Sequence, residues 1–267
     1  MIKTTGWVVL CALAACAPRR TQLEVQNVSD APTFSVLVFS KTTGFRHSSI
    51  PNGIAMIQQL GIDNGFTVDA TEDSSFFTDD NLANYQVVVF LSTTGTILDS
   101  DQKSVFQRYI ESGGGFVGIH SATDTEYDWA WYGQLVGTFF RTHPAIQPAT
   151  VVIEDPNHPS TASLPMLWMR TDEWYSFQTN PRGGVHVLAV MDESSYTGGD
   201  MGDHPISWCH DFDGGRAWYT ALGHTEESYD EPLYQQHVLG GIMTVAGAIA
   251  ADCSVSEEKP PPNRTSR

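Results

Sequence analysis

The chain has 267 residues and a formal net charge of −17 at pH 7, and aromatic residues make up 11% of it. A protein this acidic repels phosphate backbones, which argues against nucleic acid as a partner and disfavours phosphorylated substrates. The length is enough for one α/β domain with a full core. The aromatic content suits a neutral carbohydrate ligand, because sugar faces stack on aromatic rings, although core packing explains most aromatic residues in any globular protein.

The first residues predict export. A basic start at Lys3 is followed by an apolar run over residues 7–15 that is too short to span a bilayer. The run ends in Leu-Ala-Ala-Cys at residues 13–16, which resembles the lipobox of bacterial lipoproteins. We therefore predict a lipoprotein signal peptide over residues 1–15 and an exported protein anchored at the cell envelope by lipidated Cys16. A plain secretory signal with an incidental cysteine is the alternative, and it predicts export too.

Composition sets the remaining boundaries. Polar residues 16–32 are typical of a tether, residues 33–253 form the predicted domain, and the proline-containing residues 254–267 are predicted to be a disordered tail. Two of the four cysteines precede the domain, which leaves Cys209 and Cys253 inside it. In an exported chain such a pair favours one disulfide, and two buried free thiols are the alternative.

In chain order, the first half of the domain alternates strands with helices. Strands are predicted over residues 34–40, 66–70, 85–91 and 116–120, and helices over residues 51–61 and 100–112. Pro51 suits the first turn of a helix, and glycines follow residue 112, where the second helix should end. This βαβαβ alternation predicts a parallel, doubly wound α/β sheet.

The second half is richer in strands. We predict strands over residues 150–154, 185–191, 205–211 and 216–222, and a final helix over residues 232–251. The Asp-Gly-Gly sequence at residues 213–215 is a strong hairpin signal between the last two strands. The long stretch between Trp129 and Trp174 is otherwise expected to form loops over the strand ends.

Residues 113–124 predict a turn, a short buried strand and a tight strand end that presents His120 and Asp124. In open α/β sheets, ligands bind beyond the carboxyl ends of the strands. The small residues around His120 resemble a nucleophile elbow, but a histidine is more often a proton carrier or metal ligand than a nucleophile. We predict that His120 is an acid/base catalyst, with a ligand-orienting donor and a metal ligand as the alternatives.

Other polar side chains also fall at predicted strand ends or in the loops nearby. They are Arg46, His47, His143, Glu173, Trp174, Tyr219 and His224. A carboxylate beside a tryptophan can have its pKa raised by desolvation, which suits acid/base chemistry. No two of the histidines have the spacing of a metal-binding helix or knuckle, so no cofactor is expected, and a divalent metal is possible without support from spacing.

Two enzyme classes are excluded by missing motifs. The sequence contains no Gly-x-Ser-x-Gly and no cysteine at the strand end before residue 121, which excludes serine-esterase and glutaminase arrangements. No Gly-x-Gly-x-x-Gly follows the first strand, which argues against a nicotinamide cofactor.

Four motifs in the same order resemble the ThuA-like (trehalose-utilisation) family. They are Lys-Thr-Thr-Gly-Phe-Arg-His-Ser-Ser-Ile at 41–50, the segment 113–124, Asp-Glu-Trp-Tyr at 172–175, and Ala-Trp-Tyr-Thr-Ala-Leu-Gly-His at 217–224. The resemblance spans about residues 34–251. It implies a class I glutamine-amidotransferase-like, flavodoxin-like fold: a doubly wound, mostly parallel sheet with helices on both faces, without the glutaminase cysteine. It also implies carbohydrate utilisation, including disaccharides oxidised at carbon 3 of a sugar ring.

The resemblance also implies the site. Its catalytic residues would be His47, His120, Glu173 and His224, with Arg46, Asp124 and His143 around them as substrate-binding residues. We add the neighbouring aromatic residues Trp174 and Tyr219 as predicted substrate-binding residues. We therefore predict an envelope-anchored enzyme that hydrolyses or eliminates glycosides or 3-keto-glycosides by general acid/base chemistry. A sugar-binding lipoprotein without catalysis is the alternative. An envelope module whose acidic face binds cationic partners is a third hypothesis.

Overall fold

A computed structural model describes residues 1–2 and 34–255 of the chain. From residue 3 onward, the predicted signal peptide lies outside the described residues, as do the tether, the lipid anchor at Cys16 and the predicted tail from residue 256 onward. Residues 34–255 belong to one compact unit. Within the described ranges, no helix combines the length and the apolar character needed to cross a membrane.

Eleven strands and five α-helices lie among the described residues. The strands are β1 (Ser35–Phe39), β2 (Thr67–Thr71), β3 (Val87–Leu91), β4 (Gly115–Ile119), β5 (Phe140–Thr142), β6 (Gln147–Ile153), β7 (Leu167–Asp172), β8 (Ser176–Phe177), β9 (His186–Met191), β10 (Pro205–Phe212) and β11 (Gly215–Thr220). The helices are α1 (Ile50–Asn64), α2 (Asp79–Leu82), α3 (Ser100–Glu111), α4 (Ala130–Val136) and α5 (Pro232–Val245).

Nine of these strands form one sheet in the order β2-β1-β3-β4-β11-β10-β9-β6-β7. The first five strands in this order are parallel, and every pairing from β11 to β7 is antiparallel. The fold is thus mixed α/β, and the prediction of a mostly parallel sheet is wrong for its second half. The turn between β10 and β11 is short, so these two strands can pair only in antiparallel fashion. A parallel pair would need a long crossover connection.

The predicted elements each overlap an observed one. The strands β3 and β4 are buried along their whole length, as expected for a run of apolar residues covered on both faces. Helix α1 has Pro51 in its first turn and ends at Asn64, and it is capped by Gly65, whose φ of 78° is in the left-handed region. The last helix ends earlier than predicted, at Val245, because Gly247 adopts a φ of 69° just beyond it.

We predicted that the stretch between Trp129 and Trp174 is mainly loop. The structure instead shows that it contains α4, β5, β6 and β7. The sequence pattern did not predict β7, because several of its apolar residues are exposed while polar residues are buried. Its exposed positions include Leu167 and Met169, whereas Arg170 and Asp172 point inward and are buried. A strand with polar residues on its buried face does not match the expected pattern of apolar residues facing the core.

Cys209, on β10, and Cys253, beyond α5, lie close together. Their Cα atoms are 5.3 Å apart and their sulfur atoms 2.07 Å apart, which is disulfide-bonding distance. The two residues that the sequence left inside the domain are therefore placed for the predicted pairing.

Candidate functional site

Four candidate side chains meet at one edge of the sheet. His47 lies in the loop after β1, His120 directly follows β4, and His224 lies in the loop after β11. Glu173 directly follows β7, which runs in the same direction as the parallel strands because four antiparallel pairings separate it from β11. One donor atom from each of the four side chains lies within 4.8 Å of the other three. The carboxyl ends of strands far apart in the chain thus form a single cluster, which we call the His-Glu cluster.

His120 stands on a strained backbone at the centre of this cluster. Its φ of 52° is in the left-handed region, which residues other than glycine adopt rarely and often at functional sites. The Tyr219 hydroxyl donates to the His120 carbonyl oxygen over 2.8 Å and so supports the turn. Gly118 leaves room for this arrangement, because a Cβ there would lie 3.0 Å from the Tyr219 ring. The prediction of a tight turn at the end of β4 that presents His120 is confirmed.

The orientation of the His120 ring fixes where its hydrogen lies. Its Nδ1 is 2.8 Å from the carbonyl oxygen of Ala221, which can only accept, so Nδ1 carries the hydrogen. In the neutral ring, Nε2 then presents a lone pair to the cluster. It lies 3.1 Å from His47 Nε2 and 3.1 Å from His224 Nδ1.

Glu173 connects three of the histidines. Its Oε2 lies 3.0 Å from His224 Nδ1 and 3.5 Å from His120 Nε2, and its Oε1 lies 3.0 Å from His143 Nδ1. The side chains of His120 and Glu173 are buried, whereas that of His143 is 41% exposed. His143 therefore lies at the entrance to the His-Glu cluster and contacts it through the carboxylate.

Burial and neighbouring charges shift the pKa values of these groups in different directions. Burial, with the charges of His120 and His224, lowers the pKa of His47 to about 2, so this ring is neutral. Burial alone would raise the pKa of Glu173, but hydrogen bonds and charges from His120 and His224 hold it below its ordinary value. Burial lowers the pKa of His224, yet the hydrogen bond and charge of Glu173 outweigh it and raise that pKa. The cluster thus combines a neutral ring at His47 with an ionised carboxylate at Glu173, which favours the protonated form of His224.

Asp124 lies at the margin of the cluster. Its Oδ1 accepts a hydrogen bond of 2.6 Å from the Tyr127 hydroxyl, and burial raises the pKa of the carboxyl group although the charge of His120 opposes this. Arg46 is not in the cluster. Its guanidinium pairs with Glu72 at 2.6 Å, and both side chains are about half exposed.

Two residues predicted to bind substrate are buried instead. Trp174 is completely buried, and its indole N–H donates to the carbonyl oxygen of Gln147 over 2.8 Å. Tyr219 is also buried, and its hydroxyl is occupied by His120 and Thr123. Neither ring offers a face to solvent, so their placement does not support direct stacking on a sugar.

Asp172 and Tyr175 are site residues that the sequence analysis did not select. The buried carboxylate of Asp172 accepts hydrogen bonds from the backbone N–H groups of Gly223, at 2.9 Å, and His224, at 3.0 Å. The Tyr175 ring packs against the His120 ring with centroids 4.3 Å apart. Both residues flank Glu173 in one motif, and that proximity is the signal that could have identified them.

The His-Glu cluster can perform two kinds of chemistry. A carboxylate that holds partly exposed histidines can orient them for proton transfer to and from a ligand. Alternatively, imidazole nitrogens and a carboxylate oxygen that converge on one point are donors for a divalent metal. Among the described residues, a second group of possible ligands consists of His158, Cys209 and Cys253.

The solved structures that resemble this fold include those of two ThuA-like proteins. A ThuA-like protein from Bacteroides uniformis ATCC 8492 has a TM-score of 0.70 and 24% identity, covering 82% of this chain and 94% of its own. One from Parabacteroides merdae ATCC 43184 has a TM-score of 0.67 and 18% identity, covering 86% of this chain and 94% of its own. At these identities the likeness concerns the fold alone. A search of curated proteins gave no match.

The family itself is identified by the sequence. The family model ThuA, described as "Trehalose utilisation", matches residues 35–243. This range covers most of the chain and includes every member of the His-Glu cluster. The resemblance found in the four motifs is thus confirmed, and the chain belongs to the ThuA (trehalose utilisation) family.

Proposed function

We propose that this protein is an enzyme of carbohydrate utilisation that acts on glycosides or 3-keto-glycosides by general acid/base chemistry. The observation that carries the proposal is the His-Glu cluster, in which three histidines and one carboxylate meet at the carboxyl edge of the sheet. Family membership supports the substrate class. Acid/base catalysis needs proton-carrying groups held within reach of a bound ligand, and the edge of an α/β sheet is where such ligands bind.

The proton carriers that the geometry favours are the partners of Glu173. His120 is fully buried and has both ring nitrogens in contact with protein atoms, so it is suited to orienting its neighbours. His143 and His224 are partly exposed, and each is held through Nδ1 by a different oxygen of Glu173. Their Nε2 atoms are therefore the positions from which a proton can pass to or from a sugar.

A ketone at carbon 3 would make elimination feasible. The ketone acidifies the hydrogen on carbon 2, and a histidine of the pair removes that proton. The electron pair forms a double bond between carbons 1 and 2, the bond from carbon 1 to the glycosidic oxygen breaks, and this oxygen takes a proton from the second histidine. Addition of water to the unsaturated product would complete a net hydrolysis.

The test is turnover of a panel of native and 3-keto disaccharides, followed by product analysis. We expect products from at least one member, and a loss of about 100-fold or more for Glu173→Gln, since acid/base groups contribute about 100- to 10,000-fold. His186→Gln is the control, because this histidine pairs with Asp155 outside the cluster. A folded Glu173→Gln variant with full turnover would overturn the assignment. Saccharide binding without turnover would indicate the alternative, a sugar-binding protein.

We further propose that the protein is an exported lipoprotein anchored at the cell envelope through Cys16. The support is the lipobox-like sequence at residues 13–16 and the placement of Cys209 and Cys253, which suits an oxidising compartment. Fractionation should find the protein with membranes, and Cys16→Ala should release it from them. Membrane association that persists in this variant would contradict the anchor.

We also make a proposal about the fold type of the parallel half of the sheet. We infer that the parallel half of the sheet is a flavodoxin-like, doubly wound unit of the glutamine-amidotransferase type. Its order β2-β1-β3-β4-β11 supports this, because flavodoxin-like sheets have the order 2-1-3-4-5. A crystal structure with helices on only one face of these strands would contradict it.

A further inference from the structure

The spacing of the donor atoms in the His-Glu cluster is that of a metal site. Zinc–nitrogen and zinc–oxygen bonds are about 2.0–2.2 Å, so two ligand atoms of a tetrahedral zinc ion lie about 3.3 Å apart. The measured separations are 3.1 Å from His120 Nε2 to His47 Nε2, 3.1 Å to His224 Nδ1 and 3.5 Å to Glu173 Oε2. His224 Nδ1 and Glu173 Oε2 are 3.0 Å apart. Four of the six pairwise separations thus match a tetrahedral metal site, and all four atoms lie within 4.8 Å of one another.

The ring orientations also point lone pairs at that position. Because His120 Nδ1 donates to the Ala221 carbonyl, the opposite nitrogen faces the cluster without a hydrogen. This arrangement is the one found in metal-binding histidines, whose second nitrogen usually donates to a carbonyl or carboxylate. His47 follows the same pattern more loosely, since its Nδ1 lies 3.5 Å from the Ser121 hydroxyl. Hydrogen bonds between the rings alone would not require these outer contacts.

The outer contacts extend to the other two donors. Glu173 Oε1, the oxygen that does not face the cluster, is 3.0 Å from His143 Nδ1. The backbone of His224 is held by Asp172, which accepts from its N–H over 3.0 Å. Outer partners of this kind orient metal ligands and tune their affinity. Three of the four donor side chains thus have a contact behind the donor atom, and His224 is held through its backbone.

The chemistry of the donor set indicates the class of metal. Three imidazoles and one carboxylate carry a single negative charge when the rings are neutral, and they lie in a largely buried position. A divalent cation would balance that charge. Imidazole nitrogens favour zinc and neighbouring first-row transition metals, whereas magnesium and calcium prefer oxygen donors.

We propose that His47 Nε2, His120 Nε2, His224 Nδ1 and Glu173 Oε2 together bind one divalent transition-metal ion of the zinc class. The inference uses the same site as the proposed function but does not depend on the reaction. Four protein ligands complete a tetrahedral zinc site, so a further oxygen ligand would require the expansion to five ligands that some catalytic zinc sites undergo in the transition state. The partly exposed side of the cluster, beside His143 and His224, is where a carbonyl or hydroxyl oxygen of a sugar would approach. Of the two proposed proton carriers, only His143 is not a ligand and remains available for proton transfer in the metal-bound protein, because His224 Nδ1 and Glu173 Oε2 would both face the metal.

The experiment measures metal content and zinc affinity of the full-length protein, without reference to activity. We expect one equivalent of metal after purification, or one equivalent of added Zn²⁺ bound to metal-free protein in titration calorimetry. Co²⁺ in the same site should give the strong visible absorption of a tetrahedral ion. Removing a ligand by His224→Gln should weaken zinc binding by more than about 100-fold, whereas Ser121→Ala should weaken it about tenfold, as for outer-shell contacts.

His186→Gln is the matched control, since it makes the same substitution at a histidine outside the cluster, and we expect its zinc affinity to be unchanged. If His224→Gln fails to fold, the Co²⁺ spectrum and the metal stoichiometry of the unmodified protein still test whether the site binds a metal. Failure to bind Zn²⁺, Co²⁺, Mn²⁺, Ni²⁺ or Fe²⁺ would overturn the metal site and leave the proposed enzyme standing. Undiminished affinity in a folded His224→Gln variant would also overturn it. Stoichiometric metal without turnover of any saccharide would overturn the enzyme and leave the metal site.

Discussion

The two halves of the nine-stranded sheet contribute to the site in different ways. In the parallel half, β3 and β4 are buried throughout, and the loops after β1, β4 and β11 supply the three histidines. In the antiparallel half, β6 alternates between buried and partly buried positions and β7 between buried and exposed ones, and only β7 reaches the cluster, through Glu173. The carboxylate and the imidazoles therefore come from halves that differ in pairing and in exposure. We therefore expect the contacts that join the two halves to have the largest effect on the free energy of unfolding.

Asp172 is the clearest of these contacts. It ends β7 in the antiparallel half and binds the backbone of Gly223 and His224, which follow β11 in the parallel half. It also pairs with Arg170 at 3.0 Å, and both side chains are buried. One buried carboxylate thus holds the backbone of both Glu173 and His224, and so positions two members of the His-Glu cluster.

We expect the largest effect from Asp172→Ala. The change leaves the buried guanidinium of Arg170 with one carboxylate partner, the partly exposed Glu231, and with the Ser228 hydroxyl. It also removes the acceptor for three backbone N–H groups, those of Glu173, Gly223 and His224. Loss of one member of a buried ion pair costs about 3–5 kcal/mol in the free energy of unfolding. Urea denaturation followed by circular dichroism would measure it.

Asp211→Ala is the control for that experiment, since Asp211 pairs with Arg216 at the surface. Exposed pairs contribute less than about 1 kcal/mol. If the two variants lost similar stability, Asp172 would not hold the halves together in the way that its contacts indicate.

The second effect concerns Cys209 and Cys253, which connect β10 in the antiparallel half to the segment beyond α5. If they form a disulfide, it closes a loop across a sequence separation of 44 residues. We expect Cys253→Ser to lower the free energy of unfolding by about 2–4 kcal/mol. Treatment of the unmodified protein with a reductant should have a similar effect. Stability that is equal with and without reductant would show that the pair is not oxidised.

A third experiment compares the strands directly. Val89, in β3, is completely buried, whereas Met169, in β7, is 78% exposed. Threonine at position 89 buries a hydroxyl in an apolar core and should cost about 1–3 kcal/mol. Met169→Thr should change the free energy of unfolding by less than about 0.5 kcal/mol. Equal effects in thermal or urea unfolding would contradict the inverted alternation of β7.

The smallest effect is expected for Tyr219→Phe. The variant removes the hydroxyl that donates to the His120 carbonyl, and the loss of one hydrogen bond costs about 1 kcal/mol. Tyr127→Phe removes a more exposed hydroxyl that binds Asp124 and serves as the comparison. We expect it to cost less in urea unfolding. A larger loss for Tyr127→Phe would show that the turn at His120 does not depend on Tyr219.

The two halves also differ in how well the sequence predicts them. Continuous apolar runs such as β3 and β4 are typical of strands buried on both faces, so the parallel half could be predicted nearly strand by strand. In the antiparallel half, β7 went unrecognised because Arg170 and Asp172 occupy its buried face. Their burial is compensated by each other and by Glu231 and Ser228, which lie elsewhere in the chain. No local pattern carries that information.

Within the site, the sequence alone identified the residue types and the strand ends that carry them. His47, His120 and His224 follow strands of the parallel half, where a shared direction brings carboxyl ends to one edge. Trp174 and Tyr219 were expected beside the substrate because aromatic rings next to polar motifs suit sugars. Their burial depends on how β11 and the segment between β7 and β8 pack against the core, which the local sequence does not show.

The sequence by itself determined the family, the parallel strands and the three histidines at their ends, because these depend on local patterns. Only the tertiary structure decided that Glu173 joins the histidines. That meeting requires four successive antiparallel pairings to carry β7 back to the same edge, and a contact between Asp172 and Gly223, 51 residues apart. The tertiary structure likewise revealed donor spacing suited to a metal, since residues in separate loops have no spacing in sequence that could show it.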